Sequence, residues 1–280
     1  MLRDEWMEYR RGQEKEHFAR MHNSTDKLDS LLVVEVNTTE LCNRTCVFCP
    51  RHEPEVYPNQ HFHMTKRVAR KVAQSLKDFN GYFTFSGFGE NTMNPNIEEV
   101  LEEFSKVFPD QYIEMNTNGD LLTAQKCRDL FDAGLTMLLI NLYDGPEQMS
   151  AFYYMTQFRD DQWMFRPHWD QSDYGLFINN RAGVVTWDTG LPQPGRPCYY
   201  TFSKMMVDWN GNVVFCPNDW NRTHIVGSLL HHDVRDVWFG KQMNDFRDRL
   251  VKGDRDFAPC NKCSMPGDLF GKESVEFYYK

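Results

Sequence analysis

The sequence lacks a long apolar run, a low-complexity stretch and an excess of positive charge. Its longest apolar stretch, residues 135–143, is far too short to span a bilayer, and residues 1–20 alternate acids and bases without the apolar segment of a secretion signal. Asp and Glu number 40 against 31 Lys and Arg, and the resulting net charge of −9 repels phosphate backbones. We therefore expect a cytoplasmic protein with no membrane or nucleic-acid partner.

What the chain does contain is enough material for a folded core. It has 280 residues, of which 41% are hydrophobic and 14% aromatic. A chain of this length buries roughly three quarters of its unfolded surface in one large domain or two smaller ones. The composition excludes a disordered or fibrous protein.

Cysteine is the most informative residue type. In a reducing compartment, cysteines bind metal or do chemistry more often than they form disulfides. The eight cysteines form a group of three, a single residue and a group of four: Cys42, Cys46 and Cys49; Cys127; and Cys198, Cys216, Cys260 and Cys263. Cys127 lies in a helical pattern between residues 123 and 134 and is expected to be a buried apolar cysteine.

The first two thirds of the chain alternate β-rich apolar runs with amphipathic helices. The runs predict strands at residues 33–37, 82–86, 112–116, 137–142 and 163–166. One helix is expected after the N-cap residue Thr65 and another from about Asn96. Parallel strands with helical crossovers form either an open doubly wound sheet or a full or partial (β/α) barrel.

The two ends of the chain follow other patterns. Residues 1–30 read as a charged helical arm, a solvated surface helix, and residues 185–197 as a Gly- and Pro-rich linker. Asn210-Gly211 between apolar runs is a strong hairpin signal. One helix is then expected, with these residues on its buried faces: Val234, Val237, Trp238, Phe246 and Leu250.

Three unusual loops follow the first three predicted strands. They are the cysteine loop 42–49, the glycine-rich turn 86–90 and the Asn-Thr-Asn-Gly loop 116–119. In parallel α/β folds these loops share one rim, where chemistry takes place. Three thiolates can hold an iron–sulfur cluster and leave one iron open to a ligand; the alternative is a zinc site completed by a residue such as His52.

At this point the motifs resemble a known family. Cys42-x3-Cys46-x-Phe48-Cys49 is similar to the signature of the radical S-adenosylmethionine (SAM) superfamily, including the aromatic Phe48 before the last cysteine. The resemblance implies a [4Fe-4S] cluster whose open iron binds SAM. Reductive cleavage of SAM in that superfamily gives a 5'-deoxyadenosyl radical that abstracts a substrate hydrogen.

The same resemblance implies a set of SAM contacts on the rim. The turn 87–90 is similar to the family's Gly-Gly-Glu motif, although Phe88 replaces the first glycine and Asn91 the usual proline. Glycine at such a turn allows close backbone approach to a ligand. The implied contacts are Phe48, Gly87, Gly89, Glu90, Asn116, Asn118, Asn141 and Arg166, the last toward the SAM carboxylate. The alternative is that each polar residue is an ordinary capping or surface residue.

The four C-terminal cysteines suit either a fully ligated second [4Fe-4S] cluster or a tetrahedral zinc site. Their spacing resembles the SPASM auxiliary-cluster domain in its shortened Twitch form. The resemblance implies a helical arm at 1–30, a radical SAM partial (β/α)6-type TIM barrel at 31–184, and at 185–280 an auxiliary domain of a β-hairpin plus helix.

The overall layout resembles the aminocyclitol alcohol oxidases of the superfamily. That resemblance implies removal of a carbinol hydrogen from a sugar or aminocyclitol, with the auxiliary cluster accepting an electron and flavodoxin or ferredoxin as external donor. It also suggests that Arg181 holds a substrate hydroxyl or oxyanion; an interdomain salt bridge is the alternative role. Candidate bases are His52, Glu53, Tyr143, Asp144 and His168, of which Tyr143 and His168 join Arg181 as candidate catalytic residues.

Other functions remain open at this stage. A radical SAM epimerase or dehydratase would use the same radical with a different termination. Peptide maturases of the SPASM type often carry an extra recognition domain, which the roughly 30 residues before the first strand cannot build. A noncatalytic iron–sulfur or zinc protein would leave the loops 86–90 and 116–119 unexplained.

Overall fold

A computed structural model describes residues 5–169, 179–186 and 190–280. In these residues eight strands form one sheet in the order β5-β4-β3-β2-β1-β6-β7-β8. The strands are β1 (Val33–Val36), β2 (Tyr82–Phe85), β3 (Ile113–Thr117), β4 (Met137–Leu142), β5 (Trp163–Pro167), β6 (Lys204–Val207), β7 (Asn212–Val214) and β8 (Ile225–Ser228). The five strands predicted for the first two thirds of the chain are confirmed to within a residue at each end.

Helices cover the sheet and complete the α/β architecture. They are α1 (Glu5–His22), α2 (Lys66–Ser75), α3 (Ile97–Val107), α4 (Ala124–Asp132), α5 (Tyr200–Ser203), α6 (Val234–Trp238), α7 (Lys241–Leu250) and α8 (Lys272–Tyr278). The hydroxyls of Thr65 and Thr123 cap α2 and α4 by accepting backbone N–H bonds. Among the described helices, none has the length and apolar character needed to cross a membrane.

The sheet is parallel from β5 through to β6, and the expectation of a partial barrel is confirmed as an open parallel sheet. The C-terminal hairpin continues this sheet, because β6 pairs in parallel with β1, with Val33 opposite Lys204. β7 runs antiparallel to both β6 and β8. Central β1, which precedes the cysteine loop 42–49, is therefore flanked by β2 and by β6 of the segment that carries the second cysteine group.

The prediction of one helix over residues 234–250 is wrong. The chain forms α6 and α7, and Gly240 is the N-cap of α7. A Cβ at Gly240 would meet the carbonyl oxygen of Asp236 at 2.9 Å, so the backbone turns too tightly there for a larger residue. Between β4 and β5 the crossover is a 3₁₀ segment, Pro146–Gln157, in place of an α-helix.

The prediction that the N-terminal arm is a solvated helix is also wrong. His17 and Met21 are buried, and the Nε2 atom of His17 lies 2.7 Å from the carbonyl oxygen of Asp29. Arg10 reaches the fully buried carboxylate of Glu114 on β3. The charged sequence of α1 hides this docking because few of its residues face the protein.

Replacing Arg10 with methionine should therefore destabilise the whole domain. The change leaves Glu114 buried without its cation, which typically costs about 3–5 kcal/mol. Chemical denaturation measures the loss. The double variant Arg10→Met/Glu114→Gln should recover most of it, and a loss below about 1 kcal/mol in the single variant would mean that the pair contributes no more than a surface ion pair.

Candidate active site

The loop after β1 brings three thiols together on the rim of the sheet. The amide of Cys49 donates to the carbonyl of Cys46, and the side chain of Asn59 bonds both the amide and the carbonyl of Cys42 at 2.9 Å. Burial, together with the charge of neighbouring thiolates, raises the pKa of Cys42 to about 11 and that of Cys46 to about 12. The three thiols are thus close enough to feel one another's charge, which suits shared ligation of a cluster.

The turn after β2 packs tightly against the backbone that leads into the cysteine loop. A Cβ at Gly89 would lie 2.2 Å from the carbonyl oxygen of Thr39 and 2.7 Å from that of Leu41. The amide of Glu90 donates to the Leu41 carbonyl at 2.7 Å. Close approach of the chain's own backbone therefore requires glycine at position 89, in addition to any requirement from a bound ligand.

Glu90 and Asn91 tie this turn to the neighbouring strand ends. The buried carboxylate of Glu90 accepts hydrogen bonds from Thr92, from the hydroxyl of Thr117 and from the amide of Asn118. Burial raises the pKa of Glu90, and these bonds oppose the rise. Asn91, at the position of the family's usual proline, donates to the carbonyls of Phe85 and Asn116.

The three asparagines expected to contact SAM lie where the sequence places them, and each has protein partners. Asn116 donates to the hydroxyl of Thr84 at 3.2 Å, and Asn118 donates to Asn43 of the cysteine loop at 2.7 Å. Asn141 donates to the carbonyl of Thr117. In the sheet register, Asn141 is paired with Arg166 on β5, so both belong to the same rim.

Phe48, Tyr143 and His168 form an aromatic group beside the cysteine loop. Phe48 and Tyr143 stack with ring centroids 6.2 Å apart, and Tyr143 stacks on His168 at 5.1 Å. The Nε2 atom of His168 lies 2.8 Å from the side-chain oxygen of Asn141. Burial and the charge of Cys46 raise the pKa of Tyr143 well above its usual value, so this phenol stays protonated.

The remaining candidate bases lie outside this group. His52 is exposed and its Nδ1 atom lies 3.0 Å from the carbonyl oxygen of Thr45. Half-buried Glu53 accepts a hydrogen bond from Thr186. Asp144 pairs with Arg44, which also binds Asp120. None of these three side chains therefore belongs to the aromatic group of Phe48, Tyr143 and His168.

The four C-terminal cysteines line one cavity. The cavity is lined by Cys198, Tyr200, Thr201, Phe215, Cys216, Asn218, Leu250, Arg255, Cys260, Cys263 and Met265. Burial raises the pKa of each of the four thiols. In the part of the chain that the structure describes, no three or more His, Cys, Asp or Glu side chains stand close enough to hold one metal ion. Four thiols around a common cavity fit the donor set of an iron–sulfur cluster.

Arg255 organises this cavity, and no pattern in the sequence indicated this role. Its buried guanidinium donates to the carbonyls of Arg196, Pro197 and Met265, which hold the two chain segments beside Cys198. Its charge lowers the pKa of Cys198, against the larger effect of burial. A cation at this place favours thiolate ligands over thiols.

A strained turn places Arg181 between the two groups of cysteines. Arg181, Ala182 and Gly183 have φ values of +47°, +55° and +87°, and two consecutive non-glycine residues in this region are rare. Arg181 donates to the side chain of Asn218 at 3.3 Å, while its buried Nε atom has no hydrogen-bond partner. Its charge lowers the pKa of Cys49, in the first cysteine group, and of Cys263, in the second.

Two charged residues of the sheet interior complete the site and were not predicted. Glu35 on β1 and Lys204 on β6 are half-buried and interact electrostatically with each other. Burial raises the pKa of Glu35, while Lys204, the hydroxyl of Ser86 and Arg181 lower it. The only sequence signal is a charged residue in the middle of an otherwise apolar buried strand.

The arrangement can bind a small polar molecule between the two cysteine groups. Arg181 and Lys204 offer cationic donors, and Glu35 offers a carboxylate that can accept a proton. Both cations interact electrostatically with Glu35, so a substrate with several hydroxyl or amino groups can be held at more than one point.

Comparisons with known proteins agree with this geometry. The radical SAM superfamily model matches residues 36–162, and the SPASM iron–sulfur cluster-binding domain model matches residues 198–264. The S-adenosyl-L-methionine-dependent 2-deoxy-scyllo-inosamine dehydrogenase of Niallia circulans is 26% identical over 246 residues, covering 85% of this chain and 94% of that protein. The GTP 3',8-cyclase of Aquifex aeolicus is 28% identical over 127 residues, covering 44% of this chain and 39% of the relative.

The fold is similar to that of a solved structure, the crystal structure of BtrN in complex with AdoMet and 2-DOIA. The TM-score is 0.73 at 22% identity, and the alignment covers 87% of this chain and 96% of BtrN. The radical SAM domain implies SAM and a [4Fe-4S] cluster, and the SPASM domain implies auxiliary iron–sulfur ligation. Both cofactor expectations from the sequence are confirmed.

Proposed function

This chain is a radical SAM enzyme with a SPASM iron–sulfur domain, and we propose that it oxidises a carbinol carbon of an aminocyclitol or a similar polyol. The name of the Niallia circulans relative supports a dehydrogenase that acts on an aminocyclitol. The observation that carries the proposal is the strained turn at Arg181, whose charge acts on a cysteine of each group and on Glu35, which also interacts with Lys204.

The residues present fit the implied cofactors. Cys42, Cys46 and Cys49 would hold the cluster that binds SAM, and the four cysteines around the C-terminal cavity would hold the auxiliary cluster. The expected SAM contacts are those of the rim: Phe48, Gly87, Gly89, Glu90, Asn116, Asn118, Asn141 and Arg166. When bound, the cofactors supply a radical that removes a hydrogen atom and an acceptor for the second electron.

The chain's own residues bind the substrate and manage its proton. The Arg181 guanidinium binds the reacting hydroxyl and stabilises negative charge on its oxygen. A carboxylate oxygen of Glu35 accepts the hydroxyl proton, since burial moves its pKa toward the range of an effective base. Lys204 beside Glu35 binds a second hydroxyl. Tyr143 and His168 form an aromatic wall with Phe48 of the cysteine loop.

The position of Cys127, the cysteine that belongs to neither group, favours oxidation over epimerisation. Cys127 is confirmed as a buried cysteine, with its sulfur 3.7 Å from that of Met155. It lies on the buried face of α4, where it cannot donate a hydrogen atom to a substrate radical on the rim. The other seven cysteines all belong to the two groups.

Substrate-dependent cleavage of SAM tests the proposal. The anaerobically reconstituted chain, reduced by flavodoxin, ferredoxin or dithionite, is offered aminocyclitols, glycosides and peptides in turn. We expect 5'-deoxyadenosine and an equal amount of ketone from an aminocyclitol, with deuterium from a labelled carbinol carbon carried into 5'-deoxyadenosine. A product epimer without ketone, or cleavage driven by a peptide, would contradict it.

A further inference from the structure

A buried ion network joins the loop 216–224 to the first half of the chain. Arg222 in this loop has a left-handed backbone (φ +51°), a conformation that persists when surrounding contacts impose it. Its guanidinium pairs with Glu40 and, at 2.6 Å, with Asp208, and it also contacts the Tyr57 hydroxyl. Both carboxylates are almost fully buried, at 4% and 3% side-chain exposure.

The network extends from Glu40 to the backbone of Phe88. Asn37 donates to Glu40 at 3.0 Å and to Asp208 at 2.8 Å, and its side-chain oxygen accepts from the Phe88 amide at 2.9 Å. Arg51 pairs with Glu40 at 3.1 Å and donates to the Phe88 carbonyl at 2.6 Å. Both backbone polar groups of Phe88 are thus held by residues that also bind Glu40.

The side chain of Phe88 contacts the same loop directly. The Arg222 guanidinium lies 4.4 Å from the centroid of the Phe88 ring, and Trp220 packs against the ring at 4.9 Å. Such cation–π and edge-to-face contacts stabilise a buried aromatic ring beyond its apolar burial. Phe88 occupies the place where the family resemblance expects glycine, so this contact exists because of the departure from the motif.

We propose that Arg222 is a positioning residue through which the auxiliary segment holds the turn 87–90 in its SAM-binding shape. The inference rests on the proposed assignment of SAM to this turn. Arg222 lies six residues after Cys216, in the same loop 216–224. Ordering of this loop therefore favours SAM binding, and SAM binding favours ordering of the loop to the same extent. The two cofactor sites are therefore coupled through side chains of the protein.

The test is SAM affinity of the anaerobically reconstituted full chain, measured by equilibrium dialysis without turnover. Arg222→Met should weaken SAM binding about tenfold, within the usual range of coupling between sites. The matched control is Arg235→Met, which removes another ion pair of the same segment, to Asp26 and Asp78. We expect the control to bind SAM as the unchanged chain does.

Hydrogen exchange separates coupling from a merely structural role. In the unchanged chain, SAM should slow exchange of the amides in the loop 216–224, although the assigned contacts lie elsewhere. Arg222→Met should abolish that protection, and Arg235→Met should retain it. A general loss of stability would lower the melting temperature of either variant without this selective change.

Equal SAM affinity of Arg222→Met and the unchanged chain, at full iron content, overturns the inference and leaves the proposed function intact. Failure of the unchanged chain to bind SAM overturns both. If Arg222→Met loses iron, Phe88→Leu takes its place, because it removes the ring contact and keeps an apolar core residue. A loss of SAM affinity of about threefold in Phe88→Leu supports the coupling, and no loss overturns it.

Discussion

Replacing Cys216, Cys260 and Cys263 by alanine should lower the iron content of the reconstituted chain from about eight to about four atoms and abolish alcohol oxidation. These thiols line one cavity with Cys198, so their loss removes the ligands of one cofactor only. The cysteine loop 42–49 keeps its own three thiols. Counts of iron, sulfide and zinc give the first result, and ketone formation gives the second.

Cys127→Ala is the matched control for the triple variant. It removes a buried cysteine that belongs to neither group, and it should keep about eight irons. About four irons and one zinc in the unchanged chain would contradict the prediction. The C-terminal site would then be structural, and the proposed oxidation would give way to a non-oxidative radical reaction.

Replacing Arg181 by methionine should lower ketone formation about 10²–10³-fold, the usual cost of removing one donor from developing negative charge. Arg181 lies in a turn of left-handed residues, with one buried nitrogen atom that has no hydrogen-bond partner. A strained backbone that holds a buried donor without a protein partner is typical of a ligand-binding site. The measurement is turnover with saturating aminocyclitol.

The control for Arg181→Met is Arg159→Met, which removes an exposed guanidinium paired with Asp161. Iron content and SAM affinity should remain unchanged in both variants, and Arg181→Lys should recover part of the turnover because it keeps the charge. If Arg181→Met instead loses iron, and its turnover per remaining cluster is normal, Arg181 supports the cysteine turns and does not bind substrate.

The sequence was sufficient for features that local patterns determine. β-rich apolar runs located the parallel strands, and the hydroxyl of Thr65 marked the start of α2. The spacing of cysteines separated one group of three from one of four. These features depend on neighbours in the chain, which the sequence shows directly.

Features that depend on distant partners were not predictable. Glu35 interacts with Lys204 across two strands that are far apart in sequence, and Arg10 finds its partner Glu114 only after α1 docks. Arg222 resembles any loop arginine until Glu40 and the Phe88 ring are placed beside it. In each case a charged residue suggested a solvated surface, whereas the fold supplies an opposite charge or a ring.

The pairing of β1 with β6 has a consequence for the order in which the chain assembles. β1 is synthesised first among the strands, yet the partner for one of its two edges is β6, which follows all five parallel strands of the first segment. Contacts between such distant residues slow folding, because a long loop must close before they form. The centre of the sheet is thus completed late, and until β6 arrives the nascent protein exposes an unpaired apolar edge that favours aggregation.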